Sequence, residues 1–130
     1  WLVTWNREVA VFLDTERVAR PGKGQVELWV DTYFPGRRSA AFLQSRRLDR
    51  FDCIGRRSAI MSFITYREDG SVDGSADLSS PQWSRIAPGT IGEGTLDFAC
   101  APAKRRSEFG LRVADKDAAQ WAANVMRGSK

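Results

Sequence analysis

Hydrophobic and polar residues alternate along the first two thirds of the chain in a way that predicts β-strands. Two short runs, Trp1–Trp5 and Glu8–Leu13, flank two polar residues and predict a hairpin. After a Pro-Gly loop, Gln25–Phe34 alternates so that its aliphatic residues share one face, while Trp29 and Tyr33 share the other. The first part of the chain therefore predicts three strands.

The next three runs predict further strands with different surroundings. Ala41–Cys53 places Arg46 and Arg50 on one face. Arg57–Arg67 is apolar on both faces, which predicts a central strand that is covered on both sides. Ser71–Asp77 is largely polar and predicts an exposed edge strand.

Helical patterns appear only in the last third of the chain. Thr90 and Glu93 have capping-box spacing, which predicts a helix over Ile91–Cys100. A second helix is predicted from about Asp115 to Arg127, after the basic connector Ala101–Arg112. Its apolar stripe comprises Ala114, Ala118, Trp121, Ala122, Val125 and Met126. Strands followed by helices predict the α+β class.

The charge balance excludes several functions and favours others. The 130 residues carry a net charge of +4 and contain no histidine. This composition removes Ser–His and Cys–His catalysis and histidine metal sites, so we expect no enzyme, cofactor or metal. Sixteen acids nearly balance the basic residues, so we expect no nucleic-acid partner.

Clustered arginines and exposed aromatic residues are the candidate binding groups. Arginine clusters can attract an anionic partner, although solvated strand ends and loops are the simpler explanation. Trp29 and Tyr33 can form a ligand platform or lie beneath a helix, and Trp121 can pack on the domain or anchor a partner. Trp83, between two prolines, is expected to plug the core. The candidate partner-binding residues are Arg46, Arg47, Arg50, Arg56, Arg57, Trp29, Tyr33 and Trp121.

Carboxylates provide the only catalytic alternative that the composition leaves. An enzyme would need Glu27, Asp31 or Asp97 to converge on a buried pocket. The simpler expectation is that these acids face solvent on a strand and on a helix. We therefore predict a non-catalytic protein.

The two cysteines, Cys53 and Cys100, leave two alternatives open. One disulfide would indicate an oxidising compartment, whereas two buried thiols would suit a reducing one. The chain opens at Trp1 without methionine, so we expect that any signal peptide had been removed before this residue.

Several short motifs occur in a fixed order along the chain. They are the opening tryptophan, Val11–Asp14, Val26–Val30, Phe51–Cys53 with Arg56–Arg57, and Trp83–Thr90 leading through Glu93 to Phe98–Cys100. In this order and spacing they resemble the surface-adhesin protein E family, a group of bacterial exported domains. We therefore expect an adhesin-like domain over residues 1–100, followed by a connector and an amphipathic helix over 101–130.

The resemblance implies both a fold and a function. It implies a curved antiparallel sheet of about six strands, with one helix on a face and a Cys53–Cys100 disulfide. It also implies a lipoprotein or exported protein of a Gram-negative bacterium, in the periplasm or on the outer surface, touching membrane only through a lipid anchor. The best known member dimerises and binds host vitronectin, laminin and plasminogen.

These implications lead to one predicted function and one alternative. The prediction is an adhesin-like envelope domain that binds host or matrix proteins or anionic glycans and forms a homodimer. The alternative is a periplasmic inhibitor or immunity-type protein that blocks a single partner enzyme.

Overall fold

A computed structural model of the chain describes residues 1–5, 9–35, 42–67, 69–78, 80, 82–113 and 117–128. The turn expected after Trp5 and the start expected for the second helix lie outside these residues. The α+β class predicted from the sequence is confirmed.

The strands form one antiparallel sheet of seven strands within the described residues. The strands are β1 Leu2–Trp5, β2 Ala10–Leu13, β3 Gln25–Pro35, β4 Phe42–Asp52, β5 Arg57–Tyr66, β6 Val72–Asp77 and β7 Ser84–Arg85. The first six lie side by side in chain order. β6 pairs with the second half of β5, and β7 pairs with the first residues of β5. The expected sheet of about six strands is thus confirmed, and the two-residue β7 was not anticipated.

The helix α1, Ile91–Cys100, covers one face of the sheet and has the predicted bounds. The hydroxyl oxygen of Thr90 accepts a hydrogen bond from the Glu93 amide at 3.3 Å, so the predicted cap is present. Leu96 and Phe98 of α1 are buried against Leu28 and Phe51 of the sheet. We call this side of the sheet the α1 face.

A disulfide between Cys53 and Cys100 ties the last residue of α1 to the end of β4, as the resemblance implies. The bond closes a separation of 47 residues in sequence. In the chain-entropy model such a closure contributes about 4 kcal/mol to stability. The covalent bond and the apolar contacts therefore hold α1 on the sheet together.

The helix α2, Ala118–Gly128, packs on the opposite face, which we call the α2 face. Ala122 and Met126 are buried against Leu2, Ala10 and Phe12 of β1 and β2. Within the predicted stripe, Trp121 is 42% exposed instead of joining this cluster. Before α2, Ala103–Glu108 forms a 3-10 helix that sequence reasoning treated as a connector.

The two helices leave the β5–β6 end of the sheet largely bare. The strand β5 is central in its pairing, but the prediction that it is covered on both sides is wrong: only Ala59 and Ser62 are buried. Ile60 and Val72 are 37% and 54% exposed. Apolar alternation predicted the strand correctly, but it did not predict that the two described helices pack mainly on other strands.

Candidate functional site

A strip on the α2 face of β3 and β4 brings together four of the predicted binding residues. The β3–β4 register pairs Asp31 with Arg46 and Trp29 with Leu48. It also pairs Glu27 with Arg50. Directly paired residues share a face of an antiparallel sheet, so the half-buried Trp29 lies between two opposite-charge pairs. The strip consists of Glu27, Trp29, Asp31, Tyr33, Arg46, Leu48 and Arg50.

Both arginines of the strip are neutralised by acids on the neighbouring strand. Arg46 Nε lies 2.7 Å from Asp31 Oδ1 and its Nη2 lies 3.2 Å from Oδ2, a two-pronged contact. The hydrogen bond to Asp31 raises the pKa of Arg46 above its ordinary value. Arg50 donates through Nε and Nη2 to Glu27 Oε1 at 3.3 and 3.1 Å. The strip therefore presents mixed charge instead of a positive patch.

Tyr33 connects the strip to the helix α2. Its ring meets that of Phe12 edge-on, with 5.5 Å between the centroids, and it packs against the cluster beneath α2. Tyr33 thus packs against the cluster that α2 covers, whereas Trp29 lies outside that cluster and is half-buried, and its role as a ligand platform stays a prediction. The exposed Trp121 lies on α2, which packs on β1 and β2 on the same face of the sheet as the strip.

Arg47 lies on the opposite side of the sheet from Arg46. It pairs in register with Val30 on the α1 face and donates through Nη2 to Asp49 Oδ2 at 3.0 Å. Asp49 is only 3% exposed. Burial raises the pKa of Asp49, and the Coulomb attraction and hydrogen bond from Arg47 oppose that rise. Adjacent arginines in the sequence thus enter two separate environments.

Arg56 ends the turn between β4 and β5 and Arg57 begins β5, away from the strip. Arg56 has a positive φ of 51° and pairs with Asp97 and Glu93 of α1 at 3.1 and 3.5 Å. Arg57 pairs with Asp52 at 2.9 Å. The five predicted arginines therefore lie in three places, and each has an acidic partner.

The Asp52 carboxylate holds this turn through hydrogen bonds. Asp52 Oδ1 accepts hydrogen bonds from the amides of Ile54 and Gly55 at 3.2 and 3.0 Å. The hydrogen bond from the Gly55 amide and that from the Arg57 side chain lower the pKa of Asp52.

The Arg57 guanidinium lies 4.8 Å from the centre of the Trp83 ring, which belongs to neither core cluster. Trp83 is half-buried beneath this cation, so the expected core plug is wrong.

The three carboxylates of the catalytic alternative do not converge. Glu27 and Asp31 bind arginines on the α2 face, whereas Asp97 binds Arg56 on the helix of the other face. Each therefore acts as an ion-pair partner in the described structure.

Two cavities lie on or beside the α1 face. A cavity of about 250 Å³ lies between the first turn of α1 and the sheet, with Arg47 and Asp49 in its wall. An open groove of about 570 Å³ extends past the ends of β4 and β5 towards Asp69 and Asp73. Phe34 and Ser45 line both, so the smaller cavity adjoins the groove.

Sequence reasoning missed the Arg47–Asp49 pair as a unit. The signal was present, because Arg47 and Asp49 alternate in step with the buried Phe51. Because every second residue of a strand shares a face, Arg47 and Asp49 lie on the same face of the sheet as the aliphatic residues of β3. The pattern alone does not reveal that a helix closes over them.

Comparison with known proteins gives one match. The family model described as Surface-adhesin protein E matches residues 1–101. No curated protein and no solved structure matches the chain significantly. Among the described helices, none combines the length and the apolar character needed to cross a membrane.

Proposed function

Because the chain belongs to the surface-adhesin protein E family, an exported group of cell-surface binding proteins, we propose that it binds a host matrix protein through the strip on its α2 face. Family membership supports a binding protein over an enzyme. The observation that supports this particular surface is the half-buried Trp29 between two arginine–carboxylate pairs. Tryptophan, tyrosine and arginine are the residues most enriched in the energetically dominant part of protein interfaces.

The charge arrangement favours a protein partner over an anionic glycan. A sulfated glycan binds unpaired cations, yet Arg46 and Arg50 are both held by carboxylates of β3. A protein surface can complement both signs and cover the Trp29 ring at once. Homodimer formation and a lipid anchor stay predictions, and contact through the strip requires neither.

Binding to immobilised vitronectin and laminin tests the proposal. We expect saturable binding by the native chain and a loss of about 30-fold on Trp29→Ala, since a hot-spot tryptophan is worth roughly 2 kcal/mol. Trp121→Ala is expected to weaken binding less. The matched control is Trp83→Ala, which removes another half-buried tryptophan outside the strip and should bind like the native chain.

Several outcomes would overturn the proposal. Equal binding by the Trp29→Ala and Trp83→Ala variants would place the contact elsewhere. Binding to immobilised heparin alone, with affinity that falls steeply as salt rises, would support a glycan partner. Capture of one stoichiometric periplasmic enzyme, without binding to either matrix protein, would support an inhibitor.

A further inference from the structure

A pocket of about 220 Å³ is lined by charged residues from two separate segments of the chain. Asp14 and Glu16 come from the segment that follows β2. Arg106 comes from the 3-10 helix, and Arg112 comes from the segment after that helix. One segment therefore contributes the acids and the other contributes the cations. We call this space the connector pocket.

The Arg106 side chain is half-buried but has no acidic partner. Three other arginines with described side chains are half-buried, namely Arg46, Arg47 and Arg50, and each lies within 3.1 Å of a carboxylate oxygen. Within the same described residues, no hydrogen bond or ion pair includes the Arg106 guanidinium, and none of its nitrogen atoms is enclosed. A cation that is partly removed from water is normally paired, so Arg106 is available to an anionic group that enters the pocket.

The other charges of the connector pocket are also outside the ion pairs of the described structure. Those pairs include neither of the two acids and neither of the two arginines. Asp14 Oδ1 accepts from the Glu16 amide at 2.9 Å, which leaves Asp14 Oδ2 and the Glu16 carboxylate for a ligand. The α-amino group of Trp1, which also lines the pocket, donates to the Leu13 carbonyl oxygen at 3.0 Å and adds positive charge. Separated charges of both signs favour a ligand that carries both.

We propose that the connector pocket binds a small zwitterion with one carboxylate and one ammonium group. The carboxylate would accept hydrogen bonds from the Arg106 guanidinium, whose planar fork of N–H donors matches a carboxylate. The ammonium group would lie beside Glu16 and Asp14, whose carboxylates would repel a dianion such as phosphate. At about 30 Å³ for each water-sized group, the pocket of about 220 Å³ accommodates about seven such groups, which is the size of γ-aminobutyrate.

The connector pocket is a different site from the strip, although the two are neighbours. The Asp14 amide donates to the Trp29 carbonyl oxygen at 3.0 Å, so the acidic side of the pocket lies one strand away from Trp29. No residue of the strip lines the pocket. Trp29→Ala should therefore keep zwitterion binding, and Arg106→Gln should keep matrix-protein binding, so failure of one proposal leaves the other standing.

Three aliphatic probes of similar length test the ligand chemistry by ligand-observed NMR on the full chain at low salt. γ-Aminobutyrate carries both charges, butyrate lacks the ammonium group, and butylammonium lacks the carboxylate. We expect saturable γ-aminobutyrate binding in the millimolar range, about fivefold tighter than that of butyrate, because an exposed ion pair is worth at most that factor. Butylammonium should bind most weakly, because the excess of positive charge at the pocket opposes it.

Two single substitutions assign the two ends of the ligand. Arg106→Gln should weaken γ-aminobutyrate binding about tenfold, because it removes the two-pronged contact with the carboxylate. Glu16→Gln should lower the preference for γ-aminobutyrate over butyrate without weakening butyrate. The matched control is Arg85→Gln, which removes an exposed arginine of β7 that is in no described ion pair and should bind like the native chain. Circular dichroism checks the fold of each variant.

Three results would overturn the proposal. They are equal affinity for γ-aminobutyrate and butyrate, an unchanged γ-aminobutyrate affinity in the Arg106→Gln variant, and no saturable γ-aminobutyrate binding at about 10 mM. The first result, together with tighter binding of inorganic phosphate than of γ-aminobutyrate, would mean that the arginines form a simple anion site.

Discussion

The two ends of the sheet contain similar apolar residues in very different surroundings. At one end, β1 and β2 are sandwiched between α1 and α2, and Leu2 and Ala10 are fully buried. At the other end, β5 and β6 have little helix packing, and Ile60 and Val72 are 37% and 54% exposed. The comparison shows that pairing alone does not bury a strand, because side chains above and below the sheet need a second layer.

The bare end has consequences for function as well as for stability. A monomer rarely exposes a large apolar surface, and a surface rimmed by polar residues commonly marks an interaction site. The strip around Trp29 lies between the two ends, and of its residues only Tyr33 packs against the cluster beneath α2. A partner protein can therefore contact the part of the sheet on which little helix packing occurs.

The largest effect is expected at the disulfide that holds α1 over the sandwiched end. Replacing both cysteines by Cys53→Ser/Cys100→Ser should lower the free energy of unfolding by about 4 kcal/mol, because the unfolded chain regains loop entropy. Chemical denaturation followed by circular dichroism measures the change. Reduced native protein is the control and should match the variant. A loss below about 1 kcal/mol would mean that packing alone fixes α1.

A pair of aliphatic substitutions tests the contrast between the two ends directly. Leu28→Ala in the core beneath α1 should cost about 3 kcal/mol, because Leu28 is 2% exposed and a cavity would remain. Ile60→Ala on β5 removes a comparable side chain that is 37% exposed and should cost less than about 1 kcal/mol. Urea unfolding of both variants gives the values. Equal costs would show that the β5–β6 end is covered in solution.

The sequence predicted the elements well because each carries a local signal. Alternation identified β3 and β4 and their two faces, and the Thr90–Glu93 spacing identified the start of α1. The covering of β5 depends on where the helices pack, which is a tertiary property. β7 has only two residues, too few for a period to be recognised.

The candidate site was predicted only in part, because alternation within a strand is a local signal whereas contacts between strands are not. Alternation placed Trp29 with Tyr33 on one face of β3 and Arg46 with Arg50 on one face of β4, and the β3–β4 register brings the two pairs onto the same face of the sheet. Counting clusters grouped Arg46 with Arg47, although neighbours in a strand point to opposite faces. Apart from Asp49, which lies on the same strand as Arg47, the acidic partners of the arginines come from other strands and from α1, and strand register is not encoded within one segment.

The pH dependence of stability separates Asp49 from the exposed carboxylates. Burial raises the folded-state pKa of Asp49 above 3.8, so its ionisation destabilises the folded state above that raised pKa, and the penalty vanishes below 3.8. The stability of Asp49→Asn relative to the native chain should therefore increase as pH rises through this window and then level off. Asp52 has a lowered pKa in both proteins, so its effect cancels in the difference.

Urea titrations between about pH 3 and pH 7 provide this difference, since the window begins at the ordinary pKa of an aspartate. Asp52→Asn is the control and should show the opposite slope, because the stabilising effect of Asp52 is lost as pH falls. A relative stability of Asp49→Asn that falls with rising pH would contradict the prediction. It would mean that the attraction of Arg47 outweighs the burial of the carboxylate.

The smallest effect is expected for the Asp31–Arg46 pair of the strip. A double-mutant cycle with Asp31→Ala and Arg46→Ala should give a coupling energy of about 0.5 kcal/mol, because the Arg46 side chain is 43% exposed and water screens the pair. The coupling should shrink further in 1 M salt. A coupling above about 2 kcal/mol that resists salt would mean that the strip is desolvated. In that case the α2 face beside Trp29 would be covered in solution, and the strip would resemble the sandwiched end of the sheet instead of the bare one.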